Sequence, residues 1–283
     1  MAASTGWTLR DGVALITGAA SGIGAALAEA LARRGMHLAL ADRQATALEA
    51  VAGRCRALGV RVSTHALDVT DTAACAALPA AVLAAHGRLT VLVNNAGVAL
   101  GGTFEQVAEQ DFDWLMAVNF GAVVRLTRLF LPVLKAEPAA QIVNVSSIFG
   151  IIAPPGQTAY CASKFAVRGF SESLRHELDM ANSTVGVTIV HPGGVRTAIA
   201  SSARLPTDAP AELVARQQAA FKALLILPPE DAAETIAQGI AARAPRVLVG
   251  RDAKQATWLQ RLVPVGYWRL MAKGLERQIA RKA

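Results

Sequence analysis

Apolar and polar positions along this chain follow two periods that take turns. Short apolar runs predict strands at Val13–Thr17, Met36–Ala41, Val60–Leu67, Leu89–Val93, Gln141–Ser146, Val185–Val190 and Arg246–Val249. Between them apolar residues recur at helical spacing, over Ile23–Arg34, Ala45–Ala57, Thr72–Ala85, Gln110–Lys135, Thr158–Met180 and Asp231–Ala242. Several strands are continuous apolar runs, as strands covered on both faces require. Alternating strand and helix implies βαβ units with right-handed crossovers, hence an α/β fold with a parallel sheet. Residues 193–229 are weakly patterned and follow a strand end, where open α/β sheets bind ligands, so they are read as a lid. The chain divides into a body over 1–250 and a C-terminal helical extension over 251–283.

Composition narrows the class. The chain has 283 residues, 53% of them hydrophobic, enough for a large core. Met1 to Asp11 has no basic segment followed by an apolar run, so no secretory signal is expected. The three cysteines, Cys55, Cys75 and Cys161, fit neither a disulfide framework nor a metal spacing. Together these point to the cytoplasm and to no metal. The formal net charge is +7, yet Arg243–Ala283 alone carries ten Lys or Arg against Asp252 and Glu276. A nearly neutral body with a basic tail argues against a nucleic-acid partner.

The first strand runs into Thr17-Gly18-Ala19-Ala20-Ser21-Gly22-Ile23-Gly24, and a helix follows. Glycines there let the backbone approach a pyrophosphate, and the helix N-terminus offers free N–H groups and a positive dipole end. Gly18, Ser21, Gly22, Ile23 and Gly24 are therefore candidate dinucleotide contacts. The second strand ends in Asp42-Arg43. A carboxylate about twenty residues past the turn accepts from adenosine ribose hydroxyls and repels a 2′-phosphate, which favours NAD. Arg43 could instead bind that phosphate, so NADP is the less favoured alternative. Asp68, before Val69, is either an acceptor for the adenine amino group or the N-cap of the next helix. Asn94-Asn95-Ala96-Gly97 closes strand four, tying strands beside the cofactor or forming a plain turn.

Tyr160 and Lys164 stand four apart on a helix, so they share one face. A free phenol titrates near ~10, and an ammonium one turn away favours the phenolate. Ser147 ends strand five, where its hydroxyl could hold a substrate oxygen.

With these motifs the sequence resembles the short-chain dehydrogenase/reductase family. The resemblance rests on Thr17 to Gly24, Asp68, Asn94 to Gly97, Asn119, Ser147, Tyr160, Lys164 and Pro192-Gly193 through Thr197. It implies a doubly wound, Rossmann-type, seven-stranded parallel sheet with helices on both faces. By the same resemblance Tyr160 is proton donor and acceptor, Ser147 polarises the substrate oxygen, and Lys164 binds the nicotinamide ribose. Asn119 bends its helix and holds a water that links Lys164 to solvent. Pro192, Gly193, Val195 and Thr197 hold the carboxamide end of the nicotinamide. Homodimers or homotetramers through the helices bearing Asn119 and Tyr160 are implied as well.

Apolar residues beside the catalytic strand, among them Val98, Ile148, Phe149 and Pro154, suggest a largely apolar secondary alcohol or ketone as substrate, unless they simply pack in the core. His191 and Cys161 are read as structural. In the tail, Trp258, Leu259, Leu262, Val263, Tyr267, Trp268, Leu270 and Met271 are interspersed with basic residues. Docking on the body or a second subunit is the favoured reading, and weak membrane-surface contact the alternative. The activity expected is hydride transfer between a nicotinamide and a CH–OH group. An acyl-thioester (3-ketoacyl-type) reductase and a catalytically silent NAD(P)-binding sensor or scaffold are the alternatives.

Overall fold

In the computed structural model, residues 7–199, 201–205 and 224–272 are described. Seven strands form one sheet: β1 (Val13–Thr17), β2 (His37–Asp42), β3 (Val62–Ala66), β4 (Val91–Asn94), β5 (Ala140–Val145), β6 (Val185–Pro192) and β7 (Arg246–Val249). Their order is β3-β2-β1-β4-β5-β6-β7, and every neighbouring pair is parallel. The helices are α1 (Gly22–Ala32), α2 (Ala45–Arg56), α3 (Thr72–His86), α4 (Glu109–Met116), α5 (Ala122–Lys135), α6 (Thr158–Met180), α7 (Pro229–Ala241) and α8 (Arg251–Leu262).

Side chains of a strand alternate between its faces, and the core divides accordingly. Ala14, Ile16, Leu38, Leu40, Val91 and Val93 face one apolar layer with α1, α2 and α7. Val13, Leu15, Ala39, Ala41 and Leu92 face the other, with α3 and α5. Helices thus cover both faces, the doubly wound arrangement. Strand order reverses between β1 and β4, so the crevice at their carboxyl ends is the expected ligand position.

Some boundaries differ from those the pattern predicts. β4 begins at Val91; the Thr90 backbone still donates to Val13 O (3.0 Å) and accepts from Gln141 N (2.8 Å), and its hydroxyl adds bonds with Val13 N and Val13 O, both at 3.0 Å. β6 continues to Pro192 because β7 still pairs with it there. The helix expected over Gln110–Lys135 is two helices joined by a π-helical turn at Ala117–Gly121 that carries Asn119. That stretch, Glu109–Lys135, is the one described helical segment long and apolar enough to cross a membrane. Its Val118, Ala122, Leu126, Phe130 and Leu134 are core residues under the sheet. The N-cap of α3 is Asp71, which accepts from Ala73 N and Ala74 N, so the capping reading of Asp68 is corrected.

In the extension, α8 docks through Ala253 and Ala256. Helical backbone resumes over residues 267–272, and Tyr267 and Met271 pack on Ile148, Ile151 and Ile152. The opposite side leaves Trp258 63% and Leu262 74% exposed. The two ends of the expected lid are joined where Val195 bridges to Leu227, and Arg204, inside it, bridges to Leu100. Its residues 200 and 206–223, and the tail residues 273–283, lie outside the described residues.

Candidate active site

The β1–α1 turn is shaped by close approaches that exclude side chains. Gly18 (φ 65°) and Gly22 (φ 54°) are left-handed, a region glycine enters without penalty. A Cβ on Gly24 would lie 2.1 Å from the Gly18 carbonyl oxygen and 2.6 Å from Asn95 Nδ2. Asn95 Nδ2 donates to the carbonyls of Thr17 (2.9 Å) and Gly18 (3.1 Å). Thr17 Oγ1 accepts from Asn95 N and Ala96 N, both at 3.1 Å. The turn is thus clamped to the end of β4 across the switch point. Ser21 caps α1 in position but makes no side-chain capping bond. First-turn N–H groups have no acceptor within their own helix, which leaves a donor-rich helix end facing the crevice. A dinucleotide pyrophosphate fits such an end.

Other expected cofactor contacts surround it. Thr197 lies over Gly22, its Cγ2 3.1 Å from where a Cβ would stand. Gly193 N donates to Val249 O at 2.9 Å and Val195 is buried, so the segment after β6 is fixed in place. Asp42 accepts from Ala20 N (3.1 Å) and Gln44 N (3.0 Å), which holds its carboxylate beside the glycine turn. Arg43 is exposed. Asp68 accepts from the amide and hydroxyl of Thr70, and these bonds hold its carboxyl below the usual range. Val69 is buried, and its carbonyl accepts from Arg125 Nη1 at 2.9 Å.

The second cluster lies at the ends of β4 and β5. Lys164 is 4% exposed; its Nζ donates to the Val145 carbonyl at 3.1 Å and stands 5.6 Å from the centroid of the Tyr160 ring. The Ser147 side chain stands near enough to the Tyr160 hydroxyl to favour its charged form. Asn119 Oδ1 accepts from Val98 N (2.8 Å), and its Nδ2 donates to Val98 O (3.0 Å) and Ser163 Oγ (3.1 Å). A Cβ on Gly97 would lie 3.3 Å from Asn119 Oδ1 and 3.5 Å from Lys164 Nζ, so the β4 end, the π turn and α6 meet at one point. Of the expected apolar lining, Phe149 stands edge-on to Tyr160 at 6.1 Å, while Ile148 is buried and Val98 and Pro154 are half-buried.

Burial sets the protonation of this cluster. It pushes the Tyr160 phenol up to about 12, against the hydrogen bond from Ser147, which lowers it. It pulls Lys164 down to about 8. The lowering of Tyr160 expected from Lys164 is therefore outweighed by desolvation, which disfavours both charged forms. Burial also pushes the Cys161 thiol up to about 12, in keeping with a structural cysteine.

Two contacts give partners, not named by the sequence, to residues expected to tie strands and to dock on the body. Asn94 Nδ2 donates to Asn144 Oδ1 (2.8 Å), whose Nδ2 donates to Ser171 Oγ (2.8 Å), tying β4, β5 and α6 together under the site. An asparagine inside the apolar run of β5 was the available signal. Tyr267 Oη accepts from Ala153 N at 2.8 Å, joining the tail to the loop after Ser147.

Comparison with known proteins agrees with this geometry. A family model described as short chain dehydrogenase matches residues 12–207. SadH of Mycobacterium tuberculosis, a protein named as an oxidoreductase, is 42% identical over 265 residues, 94% of this chain and 95% of its own. A short-chain dehydrogenase/reductase from Burkholderia phymatum, solved with NAD, superposes with a TM-score of 0.83 at 33% identity, covering 90% of this chain and 94% of its own. A metagenomic short-chain oxidoreductase solved with NADP has a TM-score of 0.69 at 34% identity, covering 85% and 97%. The chain belongs to the short-chain dehydrogenase/reductase family of oxidoreductases.

Proposed function

We propose that this protein interconverts a largely apolar secondary alcohol and its ketone, with a nicotinamide cofactor and with Tyr160 as acid/base. The observation that carries the reading is the convergence of Ser147, Tyr160, Lys164 and Asn119 at the carboxyl end of the sheet that also holds the glycine turn. The nicotinamide, when bound, supplies a hydride donor or acceptor. Gly18 to Gly24 and the 192–197 segment hold the cofactor, and Asp68, Val69 and Asn95 to Gly97 flank it. Asp42 favours NAD over NADP, because a carboxylate at the β2 end repels a 2′-phosphate.

The chain's own groups handle the proton. The Ser147 side chain acts on the Tyr160 phenol, so the two hydroxyls are close enough to serve one substrate oxygen. With its value near 12 the phenol is protonated at neutral pH, the form that donates to a carbonyl oxygen. In the opposite direction the Tyr160 phenolate, stabilised by charged Lys164, is the form that takes the alcohol proton, and it becomes the phenol. Lys164 titrates near 8, close enough to neutrality to release its own proton to solvent and take up the phenol's, which restores the phenolate. Asn119 keeps the 97–98 segment beside Lys164. Val98, Ile148, Phe149 and Pro154 face the substrate with apolar surface. A homodimer or homotetramer forms through the outer faces of α5 and α6, where Phe165 is exposed.

The test is a panel of apolar secondary alcohols and ketones with NAD and NADP in parallel, followed by the absorbance of the reduced nicotinamide. Turnover with NAD is expected. Cofactor binding without turnover of any panel member would overturn the reading in favour of a sensor.

A further inference from the structure

His191 is completely buried on β6, one residue before Pro192. Its Nδ1 lies 2.9 Å from the Ser147 carbonyl oxygen. A carbonyl accepts only, so Nδ1 carries the proton and Nε2 is bare. Nε2 is buried with no hydrogen-bond partner among the described residues, as the bare nitrogen of that tautomer tolerates better than an N–H would. Burial pulls the imidazole down to about 4, so the ring stays neutral near physiological pH.

The neighbourhood shows what this bond does. Ser146 N donates to Val190 O at 2.9 Å, the last rung of the β5–β6 ladder on that side. Pro192 has no N–H to extend it. The His191 side chain supplies the next donor across from β6, one residue further along. The Ser147 carbonyl also accepts from Gly150 N at 3.0 Å, and Gly150 O accepts from Arg168 Nη1 at 3.3 Å. Ser147 Oγ, in turn, accepts from Phe149 N at 3.1 Å, and its side chain favours the charged form of Tyr160. The peptide that carries Ser147 is thus held at its carbonyl, and the direction of Oγ follows from it.

We propose that His191 is a positioning residue for Ser147, aiming its hydroxyl at the Tyr160 phenol by fixing the Ser147 carbonyl. The inference rests on the proposed roles of Ser147 and Tyr160. Its test is arranged so that the two can fail separately.

The chain has two tyrosines, so ring-¹³C-tyrosine NMR of the full chain gives two ζ-carbon signals, and Tyr267→Phe assigns them. The Tyr160 signal reads the influence of the Ser147 hydroxyl on the phenol without any substrate. His191→Leu is expected to shift it in the same direction as Ser147→Ala. His191→Asn keeps an amide donor near the Nδ1 position and is expected to hold the wild-type signal. His191→Gln places its amide near the Nε2 position and is expected to behave like His191→Leu, which keeps the comparison open if the leucine variant does not fold. With 1-phenylethanol and NAD, the leucine and glutamine variants are expected to lose about ten- to a hundredfold in kcat, with the NAD KM unchanged and the asparagine variant rescued. An unchanged Tyr160 signal in folded His191→Leu or His191→Gln, or failure of asparagine to rescue, overturns the inference. Absence of turnover in the wild type overturns the proposed function and leaves the NMR comparison standing.

Discussion

Replacing Lys164 by methionine separates what this residue does for the reaction from what it does to the fold. The ammonium is buried, and burial lowers its value from 10.5 to about 8. At about 1.4 kcal/mol for each factor of ten, charging it inside the protein costs about 3 kcal/mol relative to the unfolded chain. The sign follows from proton counts. Between 8 and 10.5 the unfolded chain binds the proton and the folded one does not, so Lys164 destabilises increasingly as pH falls through that window. Below 8 the cost is constant. Methionine removes the cost but leaves the Val145 carbonyl without its 3.1 Å donor, a loss of about 1–2 kcal/mol. Lys164→Met is therefore expected to be about 1–2 kcal/mol more stable than wild type at pH 7 and to lose about 2 kcal/mol of that advantage by pH 10. Urea unfolding of both proteins at the two pH values measures this, while turnover falls to background. A stability difference that stays constant between pH 7 and 10 would refute the buried-charge argument.

Other outcomes follow from the same geometry. Gly24→Ala drives a methyl into the Gly18 carbonyl and the Asn95 amide, so a loss of about 1–3 kcal/mol in urea and weaker NAD binding by fluorescence titration are expected; Gly53→Ala, with open space around it, is expected to lose nothing. His191 titrates near 4 when folded against 6.5 when unfolded, so stability falls as pH drops from 6.5 to 4, by up to about 3 kcal/mol, and His191→Asn flattens that limb of the denaturation profile. His37, His65 and His86 are lowered as well, mainly by burial, and leave a residual slope. Asp42→Ala is expected to raise the NADP-to-NAD ratio of kcat/KM about tenfold or more; an unchanged ratio would remove Asp42 from cofactor choice.

Where local pattern decides structure, the sequence was readable. β1, β7 and α6 fall on the residues that apolar periodicity predicts, because each is bounded by a plain change of pattern. Side-chain bonds at element ends were not: the Thr90 hydroxyl adds bonds to Val13 beside the backbone ones, which periodicity does not register. The π turn at Asn119 adds a residue to a helix without breaking its apolar stripe. Asp68 and Asp71 stand close together before α3, and Thr70 decides between them by engaging Asp68. The family motifs brought the site residues into view, but not their desolvation. Lys164 one turn from Tyr160 suggested an acidic phenol, and only the packing of both shows burial prevailing over that charge. Tyr267 meets Ala153 across a separation that no local spacing announces.

Exchanging one hydroxyl for hydrogen puts the account to its most direct trial. Tyr160→Phe keeps the ring beside Phe149 and removes the group that trades the proton. Fluorescence titration with NAD is expected to give wild-type affinity, and oxidation of the best secondary alcohol is expected to vanish. Tight cofactor binding together with near-normal turnover would contradict it.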